Sequence, residues 1–329
     1  MEYAGRYPFF DWSQVKTYPL AERPNVLKLH QLVSPEATAG AAQRWQDDTL
    51  QEVAQRVLEA RSRNLPVILF TGAHCIKLGQ SPLLIDLMRR GIITLLATNG
   101  AGSIHDFELS LIGETSESVP NALPKGLFGM AEETGRYMNL ALKAGNRERL
   151  GYGESLGRLI ATGAPLGVDC PHRDFSLLGQ AYALGVPATV HATLGTDIID
   201  QHPEFDGEAK GGCSGRDLGV FAEHVTHLAG GGVVLNVGSA VTGPEVLLKT
   251  VSMAANLGKA PTGLITANFD LRTGAPDDIV DPSKHKFYYR DIKSVVTRIP
   301  QAFGGQGYMV AGNFLDTLPA LHDLLTRTH

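Results

Sequence analysis

GIITLLATNGAGSIHDFELSLIG, residues 91–113, reads as a buried β-strand running into a glycine-rich turn and then a helix. Ile92, Ile93, Leu95, Leu96 and Ala97 are apolar on both faces, as a parallel strand requires when helices cover each side. Gly100 and Gly102 free the turn for positive φ and close backbone approach. His105, Asp106 and Glu108 begin a helix whose first N–H groups suit a phosphate or a carboxylate. The turn is not the G-x-G-x-x-G dinucleotide fingerprint, because the spacing fails after Gly102.

Working outward, strand and helix patterns alternate. Residues 66–70, 92–97, 188–193, 232–237 and 262–267 read as strands, and Val295, Val296 and Ile299 suggest a late one. Helices are expected over 48–63, 82–90, 177–184, 218–228, 244–257 and 315–325, with a helical stretch across about 125–160. Residues 195–215, polar and rich in glycine, read as a loop. Residues 1–35 form an irregular arm with apolar anchors at Tyr7, Phe9, Phe10 and Trp12. Residues 36–329 then make a single α/β domain, a doubly wound, mostly parallel sheet.

The chain has 329 residues, 43% hydrophobic and 19% charged, enough to bury a large core. A net charge of −5 without a Lys/Arg stripe gives no reason to expect a nucleic-acid partner. No apolar stretch reaches membrane-spanning length, and the N-terminus lacks the basic and apolar regions of a signal peptide, so a cytoplasmic location is expected. Cys75, Cys170 and Cys213 are odd in number with no C-x-x-C pair, which argues against a disulfide framework or a closed zinc site. His202 lies near Asp197, Asp200, Glu204 and Asp206, but without ligand spacing, and no metal is expected.

Ligands bind outside the carboxyl ends of the strands in such a sheet. Five polar or glycine-rich strand ends converge there: Thr71–His74, Thr98–Gly100, His191–Asp197, Asn236–Ser239 and Asn268–Asp270. The loop 274–293 adds Asp277, Asp278 and Asp281 beside Lys284, Lys286, Arg290 and Lys293. Carboxylates near a lysine suit a site that binds an amine and forms a Schiff base.

At these stretches the chain resembles the deoxyhypusine synthase family, which includes related homospermidine synthases. Thr98 to Asp106 is similar to the family's T-x-G-G-x-E-x-D turn with one extra residue, and Gly274 to Val280 to its G-A-x-P-D-E-A-V loop. Thr193-Leu194-Gly195-Thr196-Asp197 resembles its S-L-G-D, and Gly230 to Val234 its glycine-rich strand. The resemblance implies a Rossmann-like, deoxyhypusine synthase-like fold, a homotetramer, and an NAD-dependent transfer of an aminobutyl group from a polyamine through a lysine imine. It places Thr98, Asn99, Gly100, Gly102, His105, Asp106, Gly238 and Ser239 at NAD, and Asp197, Asp278 and His191 at a small amine substrate. The imine lysine is Lys284 by its spacing from Val280, or Lys293 by the Ser294-Val295-Val296 run that follows it. Two departures mark the site: His105 stands where the family has a ribose-binding Glu, and Thr242-Gly243-Pro244-Glu245 stands where it has the catalytic K-H-H, leaving Glu245 as the proton-transfer candidate. Two alternatives stand beside this reading. One is a diverged member acting on another small molecule without NAD; the other is a non-catalytic oligomeric scaffold.

Overall fold

The computed structural model describes residues 3–272, 283–284 and 288–327. Its main sheet has six strands: β1 Val67–Thr71, β2 Leu95–Asn99, β3 Ala188–His191, β4 Val233–Val237, β5 Ile265–Asp270 and β6 Gln306–Ala311. Their order is β3-β2-β1-β4-β5-β6 and every neighbouring pair is parallel. The sheet is therefore doubly wound, and the winding reverses between β1 and β4.

Helices of eight or more residues cover both faces: α1 Asp48–Ser62, α2 Ser81–Arg89, α3 Gly100–Ile112, α4 Glu132–Glu148, α5 Tyr152–Thr162, α6 Leu177–Leu184, α7 Gly207–Val225, α8 Thr242–Asn256 and α9 Phe314–Thr326. On one face Leu69, Leu96, Val190, Leu235 and Phe269 pack into a core shared with α1, α2, α3, α5, α6 and α9. On the other, Ile68, Phe70, Leu95 and Val234 meet Phe221 and Val225 of α7 and Leu247 and Val251 of α8. Double coverage is why β1 and β4 are buried at every position and read as apolar runs. No helix among the described residues is long and apolar enough to cross a membrane.

The structure corrects two expectations. Residues 195–215 are not all loop: α7 begins at Gly207, where the Asp206 carboxylate accepts N–H bonds from Glu208 and Ala209. Gly211, Gly212, Gly215 and Gly219 lower its intrinsic helicity, yet burial of Ala209, Lys210 and Cys213 holds it in place. The run through Val295 is not a strand but a π-helix, Ile292–Arg298, whose buried Ile292 and Val295 have helical spacing. The sixth strand is instead Gln306–Ala311, paired with β5.

Much of the sequence lies between β2 and β3, which are joined through α3, α4, α5 and α6. In this region Leu27–Lys28 pairs antiparallel with Glu114–Thr115, stitching the N-terminal segment to the end of α3. Two glycines give a paired test of the packing. A Cβ at Gly153, in the first turn of α5, would sit 2.0 Å from the Ala188 carbonyl oxygen, whereas one at Gly215 meets nothing within 4 Å. Gly153→Ala is expected to lose about 1–3 kcal/mol through overpacking. Gly215→Ala is expected to gain roughly 0.8–1 kcal/mol from helix propensity. Urea midpoints of the two variants should move in opposite directions from wild type.

Candidate functional site

The winding reverses at the carboxyl ends of β1 and β4, the place where sheets of this kind bind ligands. Gly72 N–H donates to the Val237 carbonyl at 3.2 Å, so the ladder continues one residue past β1. A Cβ on Gly72 would lie 2.4 Å from the Gly238 carbonyl oxygen, so only glycine allows this backbone contact. Gly238 is solvent-exposed with φ 79°, and its peptide is uncovered by any side chain of its own. Ser239 is buried and its hydroxyl accepts the Gly243 N–H at 2.8 Å, tying the turn to α8. The Asn236 amide donates to the Ser239 carbonyl and to Asn268 Oδ1. Among the described residues, the buried Asn236 Oδ1 and Thr98 Oγ1 have no hydrogen-bond partner.

The start of α3 is arranged differently from the expectation of open N–H groups. Asn99 Oδ1 accepts the Gly102 N–H at 2.9 Å and caps the helix. The carboxylate of Asp197, from the loop after β3, presses on Gly100: a Cβ there would be 1.9 Å from Asp197 Oδ2. Gly102 likewise makes room for Thr98 Oγ1. The protein thus sets its own carboxylate at the positive end of α3, where a ligand anion would otherwise be favoured.

Asp197 is held there by Lys210, a residue that sequence reasoning missed. The Lys210 side chain is fully buried and its ammonium donates to Asp197 Oδ2 at 2.7 Å, Asp200 Oδ1 at 2.6 Å and the Thr193 carbonyl at 3.1 Å. All three donor hydrogens are used. Asp200 also accepts the Gly195 N–H, and its carbonyl receives Trp12 Nε1–H from the N-terminal segment. The signal lay in the pair Asp197 and Asp200 followed by a lysine in a glycine-rich segment, but nothing in the pattern marked that segment as helical.

Beside Asp197 a cleft of about 220 Å³ opens against α3, lined among others by Lys77, Ala101, His105, Glu108 and Glu117. Arg23 makes a bidentate pair with Glu108, at 2.9 and 2.6 Å. Thr115 and Thr134 hydroxyls donate to the same carboxylate. Burial alone would raise the Glu108 pKa, but Arg23 holds it below the ordinary value. Thr115 Oγ1 and His105 Nδ1 are 2.7 Å apart. Because the Thr115 hydrogen goes to Glu108, Nδ1 carries the imidazole proton and Nε2 is the acceptor. Burial lowers the His105 pKa to about 4, so the ring is neutral at pH 7.

The remaining sequence-predicted residues scatter. Asp106 is turned into the core, where its carboxylate accepts from Ser176 Oγ, Leu177 N and Leu178 N at the start of α6. His191 is the last residue of β3, but its ring is buried between those of Phe70 and Phe221, under α7. Glu245, in the first turn of α8, pairs with Lys249 and lies 3.7 Å from Arg290. Lys284 is exposed. Lys293 is buried on the π-helix that packs against β5 and β6, where desolvation lowers its pKa. Asp278, with Asp277 and Asp281, lies outside the described residues. The three cysteines are free and buried, and burial pushes the Cys75 thiol up to about 11, away from thiolate chemistry. His202 is committed to Glu132 at 3.1 Å. Among the described residues no cluster of three or more His, Cys, Asp or Glu is placed to hold a metal.

No protein-family model and no curated protein matches the sequence. Solved structures of similar layout include an LOR/SDH protein from Methanococcus maripaludis S2, at 15% identity and TM-score 0.48, covering 84% of this chain and 68% of that one. Another is AgrE in ternary complex with ornithine and NAD+, at 14% identity and TM-score 0.47, covering 84% of this chain. This chain spans about a third (32%) of AgrE. A third is a candidate deoxyhypusine synthase from Entamoeba histolytica, at 10% identity and TM-score 0.41, covering 79% and 74%. At these values the likeness is one of layout, and the site chemistry rests on the residues above.

Two outcomes test this geometry. Lys210→Met leaves two buried carboxylates without a counter-charge and is expected to cost about 3–5 kcal/mol, read from urea denaturation. The His105 ring is expected to titrate near pH 4 by side-chain NMR. Since its folded pKa lies below its ordinary value, the unfolded chain binds the proton more readily. His105 therefore withdraws stability as the pH falls from about 6.5 towards 4, and contributes none of that slope above it.

Proposed function

We propose that this chain is an NAD-dependent enzyme of amine metabolism, with the dinucleotide lying across the carboxyl ends of β1 and β4 and a small amine in the adjoining cleft. One observation carries the reading: a parallel sheet in the order 3-2-1-4-5-6 with Gly72 and Gly238 in backbone contact at its point of reversal. The residues suit such a cofactor in two ways. The bare turn at Gly238 and Ser239 offers backbone to a pyrophosphate, and Asp197 with Asn99 offers oxygen acceptors to ribose hydroxyls beside β2. Asp197 then fills the role that His105 vacates. The positive end of α3 is already neutralised by Asp197, so the phosphates belong over the β1/β4 turns rather than over Gly100 and Gly102. The cleft is smaller than the ~300–1,000 Å³ usual for small-molecule sites, so it suits an amine or one fragment of the cofactor. When bound, the nicotinamide would supply a hydride acceptor for a carbon that carries nitrogen.

The chain's own groups supply the setting for that step. Three carboxylates of the cleft, Glu108, Glu117 and Asp197, stand against Arg23 and Lys77, and the one without a close cation, Glu117, favours a positive ligand. His105 presents an unprotonated imidazole nitrogen at neutral pH, which can accept a hydrogen bond from an ammonium group, although a pKa of about 4 makes it too weak a base to remove that proton. The finer reading, aminobutyl transfer through a lysine imine, needs Lys284 or Lys293 at the amine. Lys293 lies four strand spacings from the Asp197 loop, roughly 19 Å at ~4.8 Å per strand. Transfer through Lys293 would therefore require the lysine of a second copy of the chain.

Calorimetric titration of the full chain with NAD+ tests the reading. Wild type is expected to bind, and Gly238→Ala to bind at least tenfold more weakly, with a melting temperature lowered by the positive φ and by the contact of the new Cβ with Phe314. If wild type binds neither NAD+ nor NADH, the reading fails.

A further inference from the structure

Arg23 and Glu117 form a wall with a cavity on each side. One is the cleft against α3. The other, about 460 Å³, lies between the N-terminal segment and residues 117–127, lined among others by Tyr18, Asn25, Val26, Asn121 and Leu127. We propose that this second cavity is a binding site for a small organic cation, whose ammonium or guanidinium group is received by the Glu117 carboxylate. The proposal goes beyond the strand-end site and stands whether or not a dinucleotide binds there.

The argument is one of charge balance. Arg23 is buried and its two terminal nitrogens are committed to Glu108, while its Nε donates to Asn25 Oδ1. Glu117 lies only at the outer limit of an ion pair with it, 3.9 Å away, and its side chain is 7% exposed. Its Oε1 accepts the Gly129 N–H at 2.9 Å. Among the described residues its Oε2 has no hydrogen-bond partner at all. One guanidinium thus faces two carboxylates, and the unmatched one is Glu117; the cavity's other charged side chains, Glu22 and Lys125, are opposite in sign, and among the described residues Lys125 makes no ion pair with Glu117. An ionised carboxylate cannot stay buried in this state cheaply, and either a proton or an external cation must relieve it. Burial accordingly raises the Glu117 pKa.

Two further features suit a ligand rather than an accident of packing. The preceding residue, Ser116, is buried with φ 73°, a left-handed backbone that a non-glycine residue adopts at a cost, and this conformation sets the direction in which Glu117 leaves the chain. Val26 and Leu127 are exposed apolar side chains at the same cavity. They fit the methylene chain of an alkylammonium compound whose charged end reaches Glu117. The cavity volume falls within the range of small-molecule sites.

Calorimetry with n-butylammonium, putrescine and agmatine, and with n-butanol as the uncharged control, tests the site on the full chain. Wild type is expected to bind the cations and not the alcohol. Glu117→Gln, which keeps an acceptor for Gly129, is expected to bind them at least tenfold more weakly, and Leu127→Ser, which lines only the second cavity, at least threefold more weakly. Without ligand, Glu117→Gln is expected to melt at or above the wild-type temperature, because an unmatched charge has been removed. Equal binding by Glu117→Gln, absence of binding by wild type, or a lower melting temperature of the unliganded variant would overturn the proposal. Unchanged binding by Leu127→Ser would place the cation in the α3 cleft instead and would also overturn it. None of these results depends on the NAD+ titration.

Discussion

A buried ammonium ion organises the carboxyl edge of this sheet. Lys210 has no access to water, so its three protons must all be received by the protein, and they go to Asp197, Asp200 and the Thr193 carbonyl. That requirement fixes the loop after β3 against α7. Through Asp200 it also anchors Trp12 of the N-terminal segment, and through Asp197 it fixes the approach to Gly100 of α3. Four pieces of chain, distant in sequence, therefore share one electrostatic pin. Its specificity is geometric more than energetic, since a buried charge cluster adds little net stability while penalising every arrangement that leaves a member unmatched.

Acidic residues around the site fall into two electrostatic kinds. Glu108 and Asp197 are matched by Arg23 and Lys210 and are part of the scaffold. Glu117 is partly buried, within reach of a cation only at 3.9 Å, and keeps a vacant acceptor. A tally of carboxylates near a pocket would treat the three alike. What distinguishes them is whether the protein has already supplied the counter-charge, and that is set by side chains contributed from the N-terminal segment and from α7.

The layered α/β fold was legible because both-face burial writes itself as apolar runs, and 66–70, 232–237 and 262–267 each overlap an observed strand. The turn at Thr98–Gly102 was correctly placed at the carboxyl edge, yet its glycines serve Asp197 and Thr98, contacts that depend on tertiary approach. Asp106 and His191 share a stretch with site residues but not a direction: one caps α6, the other stacks between Phe70 and Phe221. Lys210 was hidden because its glycine-rich surroundings score as loop, while the helix there is stabilised by packing rather than by propensity. Glu117 gave no local signal, since its isolation is defined by partners it lacks.

The β1–β4 pairing has a kinetic meaning as well. Phe70 is registered with Asn236, and about half of the chain lies between them. β1 and β2 are neighbours in sequence and can associate early, whereas closing β4 onto β1 must wait for the whole α3–α7 region to be threaded and packed. The central seam of the sheet is thus a late event in folding. A chain arrested before that event keeps much of its helical content but lacks the joined ends of β1 and β4, so occupancy of the seam reports completion of the fold and not merely its presence.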